Sequence, residues 1–235
     1  MRVKQAWWMP VIMAMVGLTV LVDAYADDRA PVAELRALAD AGDPTAQLDL
    51  AKRYDAGDGV RRDIAEALLW YRRAAEQGLA QAQFNVGLMY DNGVGVTRDV
   101  KEAIRWFRLA ADQGYANAQF NLAFMYDTGD GVPRDPARAV ALYQSAASQG
   151  SPDAQNNLGL KFENGEGVIQ DFAAAHMWFN LAAAQGLDSA VKNRDRLAKR
   201  MLPAQIAEAQ QLAREWRPAK RHPAAAGCQP PKFAI

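Results

Sequence analysis

The feature that most constrains this chain is a 36-residue period that runs through its middle without an insertion or a deletion. Four columns of this period begin at Gly42, Gln47, Tyr54 and Asp63. Their later members are Gly78, Gly114, Gly150 and Gly186; Gln83, Gln119 and Gln155; Tyr90, Tyr126 and Phe162; and Asp99, Asp135 and Asp171. Such a period indicates a repeat array, in which each unit buries its apolar face only by stacking on its neighbours.

One unit, residues 79–114, shows what each repeat is expected to form. Its first half has apolar residues on more than one face and no strand alternation, and it stops at a glycine-bearing segment, 91–95. This pattern predicts a helix that ends at a left-handed glycine. Asp99 is placed to cap a second helix, with Glu102 three residues later to complete a capping box. Each unit is therefore predicted to be a helix-turn-helix hairpin, and the chain to be all-α.

The aligned columns resemble the Sel-one-like repeat, a relative of the tetratricopeptide repeat. The shared pattern is Ala-x-x-Gly-x-x-x-Ala-Gln-x-x-x-Gly-x-x-Tyr-x-x-Gly-x-Gly-Val-x-x-Asp, and the resemblance covers residues 39–186. Two units depart mildly, with Ala51 and Ala123 where the others keep Gly87 and Gly159. The resemblance implies a right-handed α-α solenoid of four 36-residue repeats.

The period divides the chain into five segments. Residues 27–42 are predicted to be an N-terminal capping helix, 43–186 the four repeats, and 187–217 capping helices that lay one apolar face on the last unit. Residues 1–26 are predicted to be a signal peptide, and 218–235, rich in proline and alanine, a disordered tail.

The first 26 residues have the pattern of an export signal. Arg2 and Lys4 precede an apolar stretch, 6–22, and the sequence Ala24-Tyr25-Ala26 has the small residues of a cleavage site, so signal peptidase is expected to cleave after Ala26. The alternative is an uncleaved membrane anchor, because about 17 apolar residues reach the lower limit for a bilayer span. Cleavage predicts a periplasmic or secreted protein without a membrane span.

Charge and cysteine content argue against several classes of partner. The chain has 27 basic and 27 acidic residues, and loss of residues 1–26 removes two basic and one acidic side chain, so the mature net charge is near −1. Such a chain has no long-range field to attract nucleic acid or an anionic membrane. Cys228 is the single cysteine, so no internal disulfide can form and an apolar core must hold the exported chain together.

The residue types that usually carry catalysis or bind metals are sparse. Of two histidines, His176 occupies an apolar helix column and His222 lies in the tail, so no zinc site is predicted. The recurring aspartates have a capping task, and equivalent groups on successive units lie on the order of 10 Å apart, which does not suit paired acid–base chemistry. No catalytic residue, metal site or small-molecule cofactor is expected.

The remaining candidate site is the surface of the first helix of each repeat, which lines the concave face in tetratricopeptide relatives. The resemblance places the partner-binding candidates there, namely Asp49, Arg53, Phe84, Asn85, Met89, Phe120, Asn121, Met125, Asn157 and Lys161. Amides can bind a peptide backbone, and rings beside methionines can form an adaptable groove. The alternative is that the asparagines and methionines pack the stack, because both recur at these places in the family.

The resemblance implies a non-enzymatic scaffold or regulator that binds a protein or peptide in the bacterial cell envelope. Relatives act in polysaccharide export or hold a sensor protein inactive, and no residue selects between these roles. The alternative function is a cell-wall hydrolase directed to penicillin-type substrates or peptidoglycan, because some cysteine-rich relatives have been connected with penicillin-type substrates. The disulfide-forming cysteines of those relatives are missing here.

Overall fold

The computed structural model describes residues 32–219, which contain eleven helices and no strand. The helices are α1 (Val32–Asp40), α2 (Pro44–Ala56), α3 (Ile64–Glu76), α4 (Ala80–Asn92), α5 (Val100–Asp112), α6 (Ala116–Thr128), α7 (Pro136–Ser148), α8 (Pro152–Asn164), α9 (Phe172–Ala184), α10 (Asp188–Ala198) and α11 (Pro203–Glu215). The predicted all-α class is confirmed. The predictions for residues 1–26, Cys228 and all but the start of the tail concern parts of the chain outside the described residues.

Four helix pairs form the body of the array. We term α2, α4, α6 and α8 the A helices, and α3, α5, α7 and α9 the B helices. Each A helix packs on the B helix of its own repeat and on the helix that precedes it, which is α1 in the case of α2. The hairpins therefore stack in chain order as a solenoid, as the period predicts.

An aspartate begins each B helix, but the predicted capping box is only half formed. Asp99 accepts hydrogen bonds from the N–H groups of Lys101 and Glu102, at 3.0 and 3.1 Å. The reciprocal bond is absent because the Asp99 N–H donates to the Tyr90 carbonyl oxygen instead. The Glu102 carboxylate is consequently free to pair with Arg105.

A buried glutamine joins the three helices that meet at each repeat. Gln119 Nε2 donates to the Ala111 carbonyl oxygen at the end of α5, and Gln119 Oε1 accepts from Gln149 Nε2 at 2.9 Å. The same relay occurs at Gln47 with Gln77, Gln83 with Gln113, and Gln155 with Gln185. Because stacking buries Gln47, Gln83, Gln119 and Gln155, their amide groups need partners inside the protein. This requirement accounts for the recurring glutamine column.

The core lies between the A and B helices and combines aromatic rings with alanines. Phe107, Tyr143 and Phe179 of successive B helices are fully buried, and Trp106 is 3% exposed. Four alanines one turn earlier are also fully buried: Ala67, Ala103, Ala139 and Ala175. Small residues allow the close helix approach that large rings then fill.

Two helices close the C-terminal end, and both pack on α9. Trp216, directly after α11, meets Trp178 edge-on with ring centroids 6.3 Å apart. Glu163 of α8 is 4% exposed and pairs with Arg196 of α10 and with Arg200, two residues after that helix. The last repeat is thus covered by a polar network as well as by apolar contacts. No helix between residues 32 and 219 is long and apolar enough to cross a membrane.

Candidate interaction surface

Each A helix has one face that is not covered by a neighbouring helix. In α6 this face carries residues 117, 121, 124 and 128, whose spacing of four, three and four residues follows one side of a helix. We define the A face as these positions in all four A helices: Thr45, Asp49, Lys52, Ala56, Gln81, Asn85, Leu88, Asn92, Asn117, Asn121, Phe124, Thr128, Asp153, Asn157, Leu160 and Asn164. An ion pair between Lys161 and Asp127 places α8 beside α6, and the repeat period indicates the same arrangement for the other A helices.

An apolar stripe crosses the A face from repeat to repeat. Phe124 is 51% exposed, and Leu88 and Leu160 occupy the same column in the flanking repeats, where both are half-buried. Sequence analysis missed this column and chose the next one, which contains Met89 and Met125. The signal that the sequence offered was the spacing of four, three and four residues along one helix side. Apolar residues lie on every side of α6, and they hide this spacing.

Two asparagines beside the stripe have side-chain amides without a partner. Asn85 and Asn121 are half-buried, and neither side chain makes a hydrogen bond within residues 32–219. Their amide atoms remain accessible to solvent. The equivalent Asn157 differs, because its Nδ2 donates to the Tyr143 hydroxyl at 3.2 Å. Asn85 and Asn121 can therefore donate to and accept from a bound chain.

Three of the predicted partner-binding residues lie in the hydrophobic core. Phe84 is 4% exposed and packs on Phe107 and Tyr115, with ring centroids 5.7 and 5.3 Å apart. Met89 and Met125 are 7% and 4% exposed and pack in the clusters between helices. The expectation of an open groove is wrong for these residues because their positions face the neighbouring helices. The packing alternative describes Met89 and Met125, and Phe84, which it did not include, packs in the core in the same way.

Lys161 is also inaccessible, although its residue type suggested a surface position. It is 7% exposed and pairs with Asp127 of α6 and, at 2.8 Å, with Glu166. Its ammonium group lowers the pKa of the Glu166 carboxyl, and Arg134 approaches the same carboxyl at 3.3 Å. Lys161 is thus a structural link between α8 and α6.

The other predicted residues are accessible to different degrees. Asp49 is exposed, Arg53 is half-buried, and Phe120 is half-buried against Tyr143 with ring centroids 5.8 Å apart. The structure brings Asp49, Asn85, Asn121 and Asn157 onto the A face in one column. Their role in binding a partner stays a prediction.

The described residues offer little for chemistry. Residues 32–219 contain no group of histidine, cysteine and acidic side chains that could hold a metal ion. His176 is 3% exposed, and its Nδ1 lies 3.2 Å from Asn180 Nδ2. Burial lowers the pKa of its imidazole, and the Arg194 charge adds to the effect. A buried neutral imidazole of this kind is a packing residue.

Comparison with known proteins agrees with this architecture. The Sel1 repeat model matches residues 44–79, 80–115, 116–151 and 152–187. A crystal structure of c5321, a protective antigen of uropathogenic Escherichia coli with an SLR fold, is 36% identical over 79% of this chain, with a TM-score of 0.72. A Sel1 repeat protein from Oxalobacter formigenes is 37% identical over 71% of this chain, with a TM-score of 0.67.

This chain spans 40% and 48% of the lengths of those two proteins. Comparison with curated proteins finds no match. Sel1-repeat proteins are generally non-enzymatic scaffolds for protein–protein interaction. With four consecutive matches to the repeat model and two solved relatives above 30% identity, the chain belongs to the Sel1 repeat family.

Proposed function

We propose that this protein is a non-enzymatic scaffold or regulator of the bacterial cell envelope that binds an extended segment of another protein on its A face. The observation that carries the proposal is the combination of the apolar stripe with the unpaired amides of Asn85 and Asn121. Family membership supports the general role in protein–protein interaction.

The stripe supplies the apolar part of such an interface. Phe124, at 51% exposure, is the most exposed aromatic residue within residues 32–219. Leu88 and Leu160 occupy the same column in the two flanking repeats. Contiguous exposed apolar surface with a polar rim is typical of a protein interaction site. Aromatic residues also dominate the binding energy of many interfaces.

The amides indicate the conformation of the bound segment. A helix satisfies its own backbone N–H and C=O groups, whereas an extended chain leaves them available. Asn85 and Asn121 stand one repeat apart beside the stripe, so they can hydrogen-bond the backbone of an extended segment while its side chains cover the stripe. A helical partner could reach these amides only with its polar side chains, because its backbone groups already pair with each other.

Location in the cell envelope rests on the predicted signal peptide of residues 1–26, which lies outside the described residues. No observation within residues 32–219 favours the alternative cell-wall hydrolase, because the two acidic residues of the A face, Asp49 and Asp153, lie three repeats apart and Asp49 pairs with Lys52. We therefore develop the binding role alone.

Selection of a random peptide library on the purified protein tests the proposal. Enriched peptides should bind the wild type and lose about tenfold in affinity with Phe124→Ser, as expected for loss of one buried aromatic anchor. Leu109→Ser, at a 39% exposed position of α5, is the matched control and should leave binding unchanged. Peptides whose affinity falls equally with both variants, or only with Leu109→Ser, would contradict the proposal.

A further inference from the structure

A cavity of about 720 Å³ lies at the N-terminal end of the array, away from the A face. Arg36 of α1 and Arg61 and Arg62 of the loop after α2 line it together. The Tyr54 hydroxyl in its wall accepts a hydrogen bond from Arg36 at 2.9 Å, and Arg36 Nε lies 3.9 Å from Asp40. We infer that this cavity binds the carboxylates of an acidic peptide segment.

Arg62 differs from its equivalents because the next repeat does not neutralise it. Arg98, one repeat later, pairs with Asp130 of the following repeat at 3.4 Å, and Arg134 has an acidic partner in the same way. The period places Val94 where Arg62 would meet that carboxylate. Within the described part of the chain, Arg62 forms no ion pair.

The Arg62 side chain is nevertheless held in place. Its Nε donates to the Asp55 carbonyl oxygen at 2.8 Å, as Arg98 Nε does to Asp91 at 2.7 Å. This bond fixes the stem of Arg62 and leaves its terminal nitrogens available. A guanidinium group that is already positioned loses less freedom when it binds a carboxylate.

Arg61 adds a charge that the other repeats lack. Its equivalents by the period are Thr97, Pro133 and Ile169. Arg61 is exposed and has no hydrogen bond or ion pair to another residue of 32–219. The first repeat therefore brings two arginines without an ion pair, Arg61 and Arg62, to one cavity. The later repeats lack the equivalent of Arg61.

Two acidic side chains also line the cavity, and both are engaged within the protein. Asp63 caps α3 by accepting from the N–H groups of Ala65 and Glu66, and Glu66 accepts from Trp70 Nε1 at 3.2 Å. Arg36 is matched by Asp40, so the guanidinium groups at the cavity that lack an ion pair within residues 32–219 are those of Arg61 and Arg62. The planar fork of each arginine can donate to both oxygens of one carboxylate.

The cavity opens to solvent between exposed arginines, so an extended segment can enter it without its ends being enclosed. It does not share residues with the A face. The inference therefore stands independently of the proposed function, and its test needs no natural partner.

Fluorescence anisotropy with a labelled hexaglutamate peptide at low salt tests the inference. Arg62→Gln should weaken binding about tenfold, as expected for loss of one charge-assisted contact. Arg98→Gln is the matched control, because it removes the same charge and the same loop contact one repeat later, and it should change affinity by less than about twofold. Val94→Asp should also weaken binding, since it supplies the carboxylate that Arg62 lacks.

Equal losses with Arg62→Gln and Arg98→Gln would overturn the inference, because they would indicate non-specific charge attraction. Competition by inorganic phosphate at lower concentration than acetate would overturn the assignment to carboxylates. Arg61→Gln breaks no contact of the structure, so it provides a second measurement if Arg62→Gln lowers the stability of the fold. Unchanged affinity with Arg61→Gln in a folded protein would likewise contradict the inference.

Discussion

The Phe107 ring occupies the space that a side chain at Gly87 would need, because an added Cβ there would lie 2.6 Å from Phe107 Cε1. Gly159 and Phe179 repeat this relationship at the same distance. The other two repeats have alanine and tyrosine at these positions, as Ala51 with Tyr71 and Ala123 with Tyr143. The residue inside the A helix thus varies together with the ring that the B helix packs on it.

Gly87→Ala is expected to destabilise the protein by up to about 2 kcal/mol, because an overpacking cost of about 1–3 kcal/mol against Phe107 is offset in part by the roughly 1 kcal/mol that alanine gains in helix propensity. Ala51→Gly is the matched control, since that repeat already accommodates a methyl group, and it should cost about 1 kcal/mol in helix propensity and about 0.8 kcal/mol for the lost buried methyl group. Urea denaturation measures both. A more stable Gly87→Ala variant would show that the ring moves aside without cost.

Trp106→Ala should cost about 3–5 kcal/mol, the usual range for a core aromatic residue, since Trp106 is 3% exposed. Asn121→Ala removes no intramolecular hydrogen bond of the described structure, so it should leave stability within about 0.5 kcal/mol and weaken partner binding. Chemical denaturation of both variants measures the two losses of stability. Comparable losses at the two sites would assign Asn121 to the stack.

Gln83→Ala should destabilise by about 1–3 kcal/mol, because it removes two hydrogen bonds of the relay at about 0.5–1.5 kcal/mol each. Gln83 donates to the Ala75 carbonyl oxygen at 3.1 Å and accepts from Gln113 Nε2 at 2.8 Å. Gln81→Ala, two residues earlier in α4 and on the A face, is the control and should have a small effect. Thermal unfolding of the two variants compares them, and similar shifts would argue against a role of the relay in stability.

Because His176 is buried, we expect the protein to lose stability in mild acid. Its burial, followed by the Arg194 charge, lowers its pKa in the folded state below the ordinary value of 6.5. The folded state therefore favours the neutral imidazole, so this contribution is complete above pH 6.5 and decreases as the pH falls toward the folded pKa. His176→Ile, which copies Ile104 of the same column, should reduce the drop in urea midpoint between about pH 7.5 and 5.5. Identical drops in both proteins would refute this origin.

The repeat and its hairpins could be predicted from the sequence because they depend on local signals at a fixed period. Capping aspartates, terminating glycines and alanine–aromatic columns recur in every unit, and each acts on residues close to it in the chain. The glutamine column was visible in the same way, although its relay between helices was not.

The accessible surface could be predicted only in part. Leu88 and Met89 are neighbours in sequence, yet one lies on the A face and the other in the core, since one residue turns a helix by about 100°. The side of an A helix that is covered depends on the two neighbouring helices. The sequence of the helix alone does not reveal that side when apolar residues lie all around the helix. Lys161 is buried because Asp127, from the preceding repeat, supplies its counter-charge.

Photocrosslinking in the cells that make the protein tests the A face most directly. Benzoylphenylalanine would replace Phe124 on the A face and, as a matched exposed position, Leu109 on α5. The account predicts an adduct with a defined protein from position 124, weakened by Asn121→Ala and absent from position 109. The same adduct from both positions, or an adduct from position 109 alone, would contradict it.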